Sequence, residues 1–329
     1  MKILVIRRDN IGDLVCTTPM LTALRQHFPE AWIGILANAY NAEVLYDNPE
    51  VDEVFVYRKA KHRAAGEGKL GIWLETALLM LRLRLRGIDL AIVASPGGER
   101  YARMVGARRI IGDKPSQPPH EAERCCALLT PLLGLQAPAG PLTVRPRPPV
   151  AQRIQQELGI EPQNPGPLLG VHISSRKATQ RWSAAQFADL IQRLLQSGQI
   201  GQVLLFWSPG TEHDPQHPGD DEKAAAILAA CADLPVTPVT TVALSELVAG
   251  LSLADMLFCS DGGAMHIAAG LGKPIVCMFG DSPPAQWHPW GVPHVVLQAP
   301  SQVVSAISVP EALQAITSLL PQIGMEGPP

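Results

Sequence analysis

Residues 258–291, FCSDGGAMHIAAGLGKPIVCMFGDSPPAQWHPWG, divide into a strand end, a tight turn at Asp261-Gly262-Gly263, a helix opening near Ala264, and a second strand over 274–279. Strand, glycine turn, helix and strand make a βαβ unit, the building block of a parallel sheet. Adjacent glycines let the backbone approach a ligand closely and permit positive φ. The unpaired amides at the helix start, together with the helix dipole, make an anion seat. A phosphate or diphosphate suits that seat. An ordinary strand-to-helix turn capped by Ser260 or Asp261 suits the same residues, and the loop alone leaves both readings open.

Outward from this unit, short β-branched runs alternate with helical segments, the signature of parallel α/β layers. In the first half, strands are expected at 3–6, 32–36, 54–56, 90–93 and 109–111, and helices at 18–27, 42–45, 72–86, 100–105 and 120–133. A Pro-rich stretch, 136–150, excludes a helix or central strand and marks a linker or crossover. After a helix at 151–158 the alternation restarts. Strands fall at 168–173, 203–206, 256–259, 275–279 and 295–297, with helices at 184–196, 223–231, 244–250, 264–270 and 311–319. The reading is two Rossmann-like α/β halves, residues 1–150 and 151–323. The last helix is weighed as packing back on the first domain, and 324–329 as a disordered tail. Ligands of such sheets bind beyond the carboxyl ends of the strands, so a cleft between two facing sheets is expected.

The 329 residues are 47% hydrophobic and 17% charged, which suits a soluble protein with a large core. No apolar run approaches the ~20 residues needed to span a bilayer. The start, MKILVIRRDNIGD, has too short an apolar run for a signal peptide and reads as a mature cytoplasmic terminus. The cysteines, at 16, 125, 126, 231, 259 and 277, form no C-x-x-C pair and suit a reducing compartment. His213 and His217 flank Pro215, so they share no helix face and read as a solvated loop, not a metal site. Residues 1–150 carry 20 Lys+Arg against 15 Asp+Glu, a net of +5, and the rest carry 7 against 15, a net of −8. A basic first half favours an anionic partner, whether phosphorylated lipid, nucleic acid or phosphate, although an uneven solvated surface explains it equally.

The first βα loop, Arg7-Arg8-Asp9-Asn10-Ile11-Gly12-Asp13, lacks a dinucleotide fingerprint. It places the carboxylate of Asp13 just after a glycine, at the mouth of the sheet and the start of a helix. A carboxylate there is stabilised as the anion and is competent as a general base, or serves as a cap. In the second half, the loop from His172 to Ser183 is rich in hydroxyl and cationic groups, and Ser183 caps the next helix. The Thr211-Glu212 turn offers a carboxylate for vicinal sugar hydroxyls, and the Asp261 turn completes the set. Three such loops describe a nucleotide-diphosphate site better than a metal or acyl-transfer site, and no G-x-S-x-G, H-E-x-x-H or P-loop pattern is present.

The chain resembles glycosyltransferase family 9, the ADP-heptose:lipopolysaccharide heptosyltransferases, almost end to end. The resemblance is carried by Lys2-Ile3-Leu4-Val5 through Gly12-Asp13, Thr18-Pro19, Asn48-Pro49, Val51-Asp52-Glu53-Val54, Ile88–Val93, Gly106–Gly112 and His120-Glu121. In the second half it continues through Arg181-Trp182-Ser183 with Phe187, the 258–291 segment and Trp287. It implies a two-domain GT-B fold and metal-independent, inverting sugar transfer with no resident cofactor. The donor would be ADP-heptose on the second domain. The acceptor would be phosphorylated inner-core lipopolysaccharide on the first, and nucleic acid is not expected as a partner. By resemblance, Asp13 is the base and Arg8, Gly12 and His120 lie on the acceptor side. Ser174, Ser175, Lys177, Arg181, Glu212, Asp261, Gly262, Gly263, Ala264, Met265 and His266 lie on the donor side.

The sequence departs from the family pattern at Gly262, where Thr or Ser is usual. The usual lysine before the tryptophan appears as Gln180 or Arg181, and 213–221 reads as an insertion. Two alternatives follow: transfer of another nucleotide sugar or to another acceptor, and a non-catalytic nucleotide-sugar binding protein. The run Leu81-Arg82-Leu83-Arg84-Leu85-Arg86 is weighed as a peripheral contact with the inner membrane face, against a solvated helix whose arginines scatter.

Overall fold

The computed structural model describes residues 1–58, 69–112, 120–160, 166–213 and 219–323. The chain forms two compact units, Met1–Arg145 and Pro146–Pro329, which meet inside the Pro-rich stretch.

The first unit runs β1 (Lys2–Ile6), α1 (Ile11–Val15), α2 (Thr18–His27), β2 (Trp32–Asn38), β3 (Glu53–Tyr57), α3 (Lys69–Arg86), β4 (Leu90–Val93), α4 (Glu99–Met104), β5 (Arg109–Ile111), α5 (Glu121–Ala127) and α6 (Thr130–Leu133). Its sheet order is β3-β2-β1-β4-β5, and each pairing is parallel. Central parallel strands are covered on both faces, which is why Ile3 to Ile6 read as an unbroken apolar run and are fully buried. Two differences from expectation appear here. The five-residue α1, with a glycine inside it, is too short to show a helical period. The helix expected over 120–133 is two helices, because Pro131 has no N–H to continue the first and is tolerated in the opening turn of the second.

The second unit runs α7 (Pro148–Glu157), β6 (Leu168–His172), α8 (Ala184–Gln196), β7 (Gln202–Trp207), α9 (Asp221–Ala230), β8 (Val236–Thr240), α10 (Leu244–Leu253), β9 (Met256–Ser260), α11 (Gly263–Gly270), β10 (Ile275–Phe279), α12 (Pro284–Trp287), β11 (His294–Gln298) and α13 (Val309–Leu319). Its parallel sheet has the order β11-β10-β9-β6-β7-β8. Pro148 and Pro149 open α7 inside the stretch from which a helix was excluded, since the first helical turn needs no N–H there. The strand β8 goes unannounced in sequence. It is an edge strand interrupted by the exposed Pro238, so it has neither the apolar run nor the full hydrogen-bond ladder of a central strand. The last helix, weighed as returning to the first domain, gives Ala312, Ala315, Ile316 and Leu319 to the second unit's core, beside Phe187, Phe258 and Met278. Residues 324–329, read as a disordered tail, lie outside the described residues, as does His217.

In both sheets the strand order reverses once, between β1 and β4 and between β6 and β9. Such reversals splay neighbouring loops apart and open a crevice beyond the strand ends. The loops that carry most of the chemistry-bearing residues emerge at these points. All six cysteines are buried thiols outside any disulfide, three in each unit.

Candidate active site

The first site is built around the residue that follows β1. Arg7 turns its side chain inward and is 1% exposed. Its guanidinium donates to the Ala94 carbonyl just past β4, to Asp13 (Nη2 to Oδ1, 2.8 Å) and to Glu121 on α5. Arg124 donates Nε to Glu121 Oε2 at 2.7 Å and Nη2 to the same Ala94 carbonyl at 3.1 Å. Two buried guanidinium groups thus share one buried carboxylate. Burial alone would raise the Glu121 pKa, but the hydrogen bonds and charges of Arg124 and Arg7 outweigh it and hold the carboxyl below its ordinary range.

Asp13 is the third residue of α1 and closes its first turn, Oδ2 accepting from Asn10 N at 3.1 Å and Asn10 Nδ2 at 2.9 Å. It is therefore a cap, and its side chain is still 15% exposed. A carboxylate has about four lone-pair sites, and three donors leave one for a substrate hydroxyl. Arg8 stacks on Tyr101 (4.0 Å to the ring centre) and donates to Tyr57 Oη at 3.3 Å, while Gly12 is buried within α1.

In the second unit, the loops after β6, β9 and β10 are tied by one side chain. Gln180 Nε2 donates to Asp261 Oδ2 at 2.8 Å and to Ser282 Oγ at 2.9 Å, and its Oε1 accepts from Ser175 Oγ at 3.2 Å. Arg181 Nε donates to the Ser175 carbonyl at 3.0 Å. Lys177 pairs with Asp281 at 3.1 Å, and Thr179 donates to the same carboxylate. The turn over Ala178–Gln180 presses against Gly280, where a Cβ would stand 2.6 Å from the Thr179 carbonyl oxygen. That approach requires glycine.

Beside this network lies a pocket of about 370 Å³ lined by Arg181, Trp182, Ser183, Glu212, Asp220 and Lys223, among others. Lys223 donates to the Ile173 carbonyl at 2.8 Å and stands 5.0 Å over the Phe187 ring. Burial pushes its pKa down to about 8, with Asp220 opposing the shift and Arg181 adding to it. The loop that carries Glu212 is pinned at its base, where Gly210 N donates to Asp221 Oδ2 at 2.9 Å and Gly219 N to the Thr211 carbonyl. Two cations, Arg181 and Lys223, and the carboxylates of Glu212 and Asp220 therefore line a pocket at the carboxyl ends of β6 and β7. Among the described residues, no group of three or more His, Cys, Asp or Glu is placed to hold a metal ion.

Residues 99–312 match the model of glycosyltransferase family 9 (heptosyltransferase). The chain belongs to that family. It is a glycosyltransferase. "Lipopolysaccharide heptosyltransferase 3" of Escherichia coli is 23% identical over 85% of this chain and 83% of its own length. A family 9 glycosyl transferase from Veillonella parvula superposes with a TM-score of 0.83 at 20% identity, over 98% and 97% of the two chains. The E. coli "ADP-heptose lps heptosyltransferase II" gives 0.77 at 22%, over 98% and 99%. These likenesses show the GT-B fold class expected from the sequence.

Within this family 9 enzyme, the structure gathers Ser175, Lys177 and Asp261 in one network with Gln180, one of the two candidates for the usual lysine, and with Asp281 and Ser282, which the sequence did not single out for a role. Arg181 and Glu212 line the pocket, joined there by Lys223, which was also missed. With seven Lys+Arg in residues 151–329, a cation just after the Glu212 loop was a usable signal. Ser174 supports the next loop, its Oγ accepting from Ser208 N at 2.8 Å.

His120, expected on the acceptor side, is a buried N-cap whose Nδ1 accepts from Ala122 N at 3.1 Å, and its neighbour Glu121 accepts from Arg7. Gly262 and Gly263 do not adopt the left-handed region: Gly262 is extended (φ 165°) and Gly263 opens α11. The Met265 side chain is fully buried and the His266 ring packs edge-on to Trp287 at 5.9 Å, so beside Ala264 the turn presents backbone amides and not these side chains.

Proposed function

We propose that this enzyme transfers a heptose from ADP-heptose to an anionic inner-core lipopolysaccharide acceptor, with inversion and without a metal ion or resident cofactor. The observation that carries the reading is the second unit's paired arrangement: a polar network at Ser175, Gln180 and Asp261 beside a pocket holding Arg181, Lys223 and Glu212. Amides at the start of α11 and the cations Lys177, Arg181 and Lys223 suit the charge that grows on a leaving diphosphate, and Glu212 suits the ribose hydroxyls. The similar fold of the E. coli ADP-heptose lps heptosyltransferase II supports the choice of donor.

In this reading Asp13 accepts the proton of the acceptor hydroxyl as that oxygen bonds to the anomeric carbon. The bond to the diphosphate breaks, and its electron pair leaves on ADP. Arg7 and Asn10 hold the Asp13 carboxylate in place for this step. The acceptor is read as a membrane glycolipid met from the cytoplasmic side.

Acceptor-dependent ADP release from ADP-heptose, measured for wild type and Asp13→Asn, tests the proposal. Wild type turns over and the variant falls by about 10²-fold or more. An unchanged rate in the variant removes Asp13 as the base. Turnover of UDP- or GDP-sugars in place of ADP-heptose would replace the donor assignment. Gln180 gives that second reading a specific basis, because a neutral amide fully used by the protein stands near a position where a cation was expected.

A further inference from the structure

The helix α3 is apolar on both faces. Ile72 is buried, and Met80 and Leu83 pack into the first unit's core with Leu4, Phe55 and Ala91 of the sheet. On the opposite side, Leu70, Trp73, Leu74, Leu78, Leu81 and Leu85 recur at helical spacing along the whole element, and each is more than half exposed. A helix apolar all round normally lies inside a protein or a membrane, and a continuous exposed apolar stripe on a soluble unit marks an interaction face. None of the described helices is long and apolar enough to cross a membrane. The stripe is therefore suited to lying on a surface and not to spanning it.

We propose that the outward face of α3 seats the first unit on an anionic lipid bilayer. Three features select that occupant. Over its described side chains the helix carries three cations, Arg82, Arg84 and Arg86, against one carboxylate, Glu75. Arg84 lies along the stripe itself and donates to the Met104 carbonyl at 3.5 Å. Arg82 and Arg86 border the other edge, bound to Glu53 with Arg86 stacked on Trp32 at 4.3 Å. Leucines and a tryptophan suited to the acyl boundary, bordered by arginines at headgroup level, are the pattern of an interfacial helix. A second copy of the chain fits less well, because two-fold pairing sets this arginine-bordered face against itself.

The third feature is position. The crossover from β3 to the parallel β4 makes α3 run back against the strands, so Leu70 and Trp73 lie toward the carboxyl end of the sheet. The loop bearing Asp13 emerges at that same end. Seating the stripe on a bilayer brings that end close to a hydroxyl anchored in the bilayer. This deepens the proposed function and rests on its reading of the acceptor as a membrane glycolipid.

The test is co-sedimentation of the full-length protein with acceptor-free vesicles, either pure phosphatidylcholine or phosphatidylcholine mixed with phosphatidylglycerol. Binding is expected to favour the anionic vesicles by about tenfold or more and to weaken with salt. Leu74→Glu/Leu78→Glu should lower it by about tenfold or more while leaving transfer to a detergent-solubilised acceptor unchanged. Leu78→Gln alone serves if the double variant fails to fold. Equal binding by wild type and variant, or no binding by wild type, overturns the proposal. So does a wild-type dimer that the variant converts to monomer without vesicle binding, which would assign the face to a second copy. Absence of transfer to solubilised acceptor would instead count against the proposed function and leave the vesicle result standing.

Discussion

Arg7 and Asp13 are joined by a 2.8 Å contact between Nη2 and Oδ1, and the same guanidinium reaches the buried Glu121 from 114 residues away in sequence. One side chain therefore fixes both the part-buried carboxylate on α1 and the α5 helix that carries Glu121. Neutralising Glu121 takes away the carboxylate charge that the Arg7 and Arg124 guanidinium groups share. Glu121→Gln is expected to cost about 3–5 kcal/mol in urea denaturation, well beyond a surface ion pair.

The same carboxylate gives the fold an acid limit. Burial opposes its ionisation, but Arg124 and Arg7 prevail and its folded-state pKa is lowered. Stability from a lowered carboxylate is present above the unfolded value and is lost as pH falls through the folded one. Wild type should therefore lose stability below the ordinary carboxylate range, and Glu121→Gln should flatten that slope, as read from denaturant midpoints against pH.

Lys223 makes the opposite demand on pH. With a pKa lowered to about 8, it is protonated below that pH and neutral above it. A diphosphate bound beside it loses a charge partner as pH rises through about 8. The KM for the nucleotide sugar should rise there while kcat changes less. Lys223→Arg, which stays charged, should remove the step.

Two glycines of the donor side have opposite tolerances. A Cβ on Gly280 meets the Thr179 carbonyl oxygen at 2.6 Å, so Gly280→Ala must push the turn that carries Gln180. It should destabilise by about 1–3 kcal/mol and raise the donor KM more than it lowers kcat.

At Gly262 a Cβ meets nothing closer than the Ser260 carbonyl at 4.0 Å, and the extended φ suits any residue. Gly262→Ser should therefore leave the denaturation midpoint within about 0.5 kcal/mol of wild type. A larger loss would mean that the turn does need glycine.

Both sheets were legible because parallel central strands must be apolar on both faces, as β1 and β10 are. The edge strand β8 carries no such mark. The Asp13, Glu212 and Asp261 loops were legible because each ends a strand. The electrostatic core was not, because in sequence Arg7 is one of two arginines before a turn and only tertiary structure brings Glu121 and Arg124 to it. The sequence also left open whether Gln180 or Arg181 stands for a cation. Burial decides their duties: Gln180 is spent on Asp261 and Ser282, and Arg181 is left at the pocket rim.

The six buried thiols have a practical consequence. Cys16, Cys125 and Cys126 lie in the first unit, and Cys231, Cys259 and Cys277 in the second. Burial raises the pKa of each, so a thiol reagent reacts with them only when the surrounding structure opens. The wild-type chain thus carries native reporters in both halves. Mass-resolved labelling could time the opening of each half separately, with and without donor, without introducing a single probe.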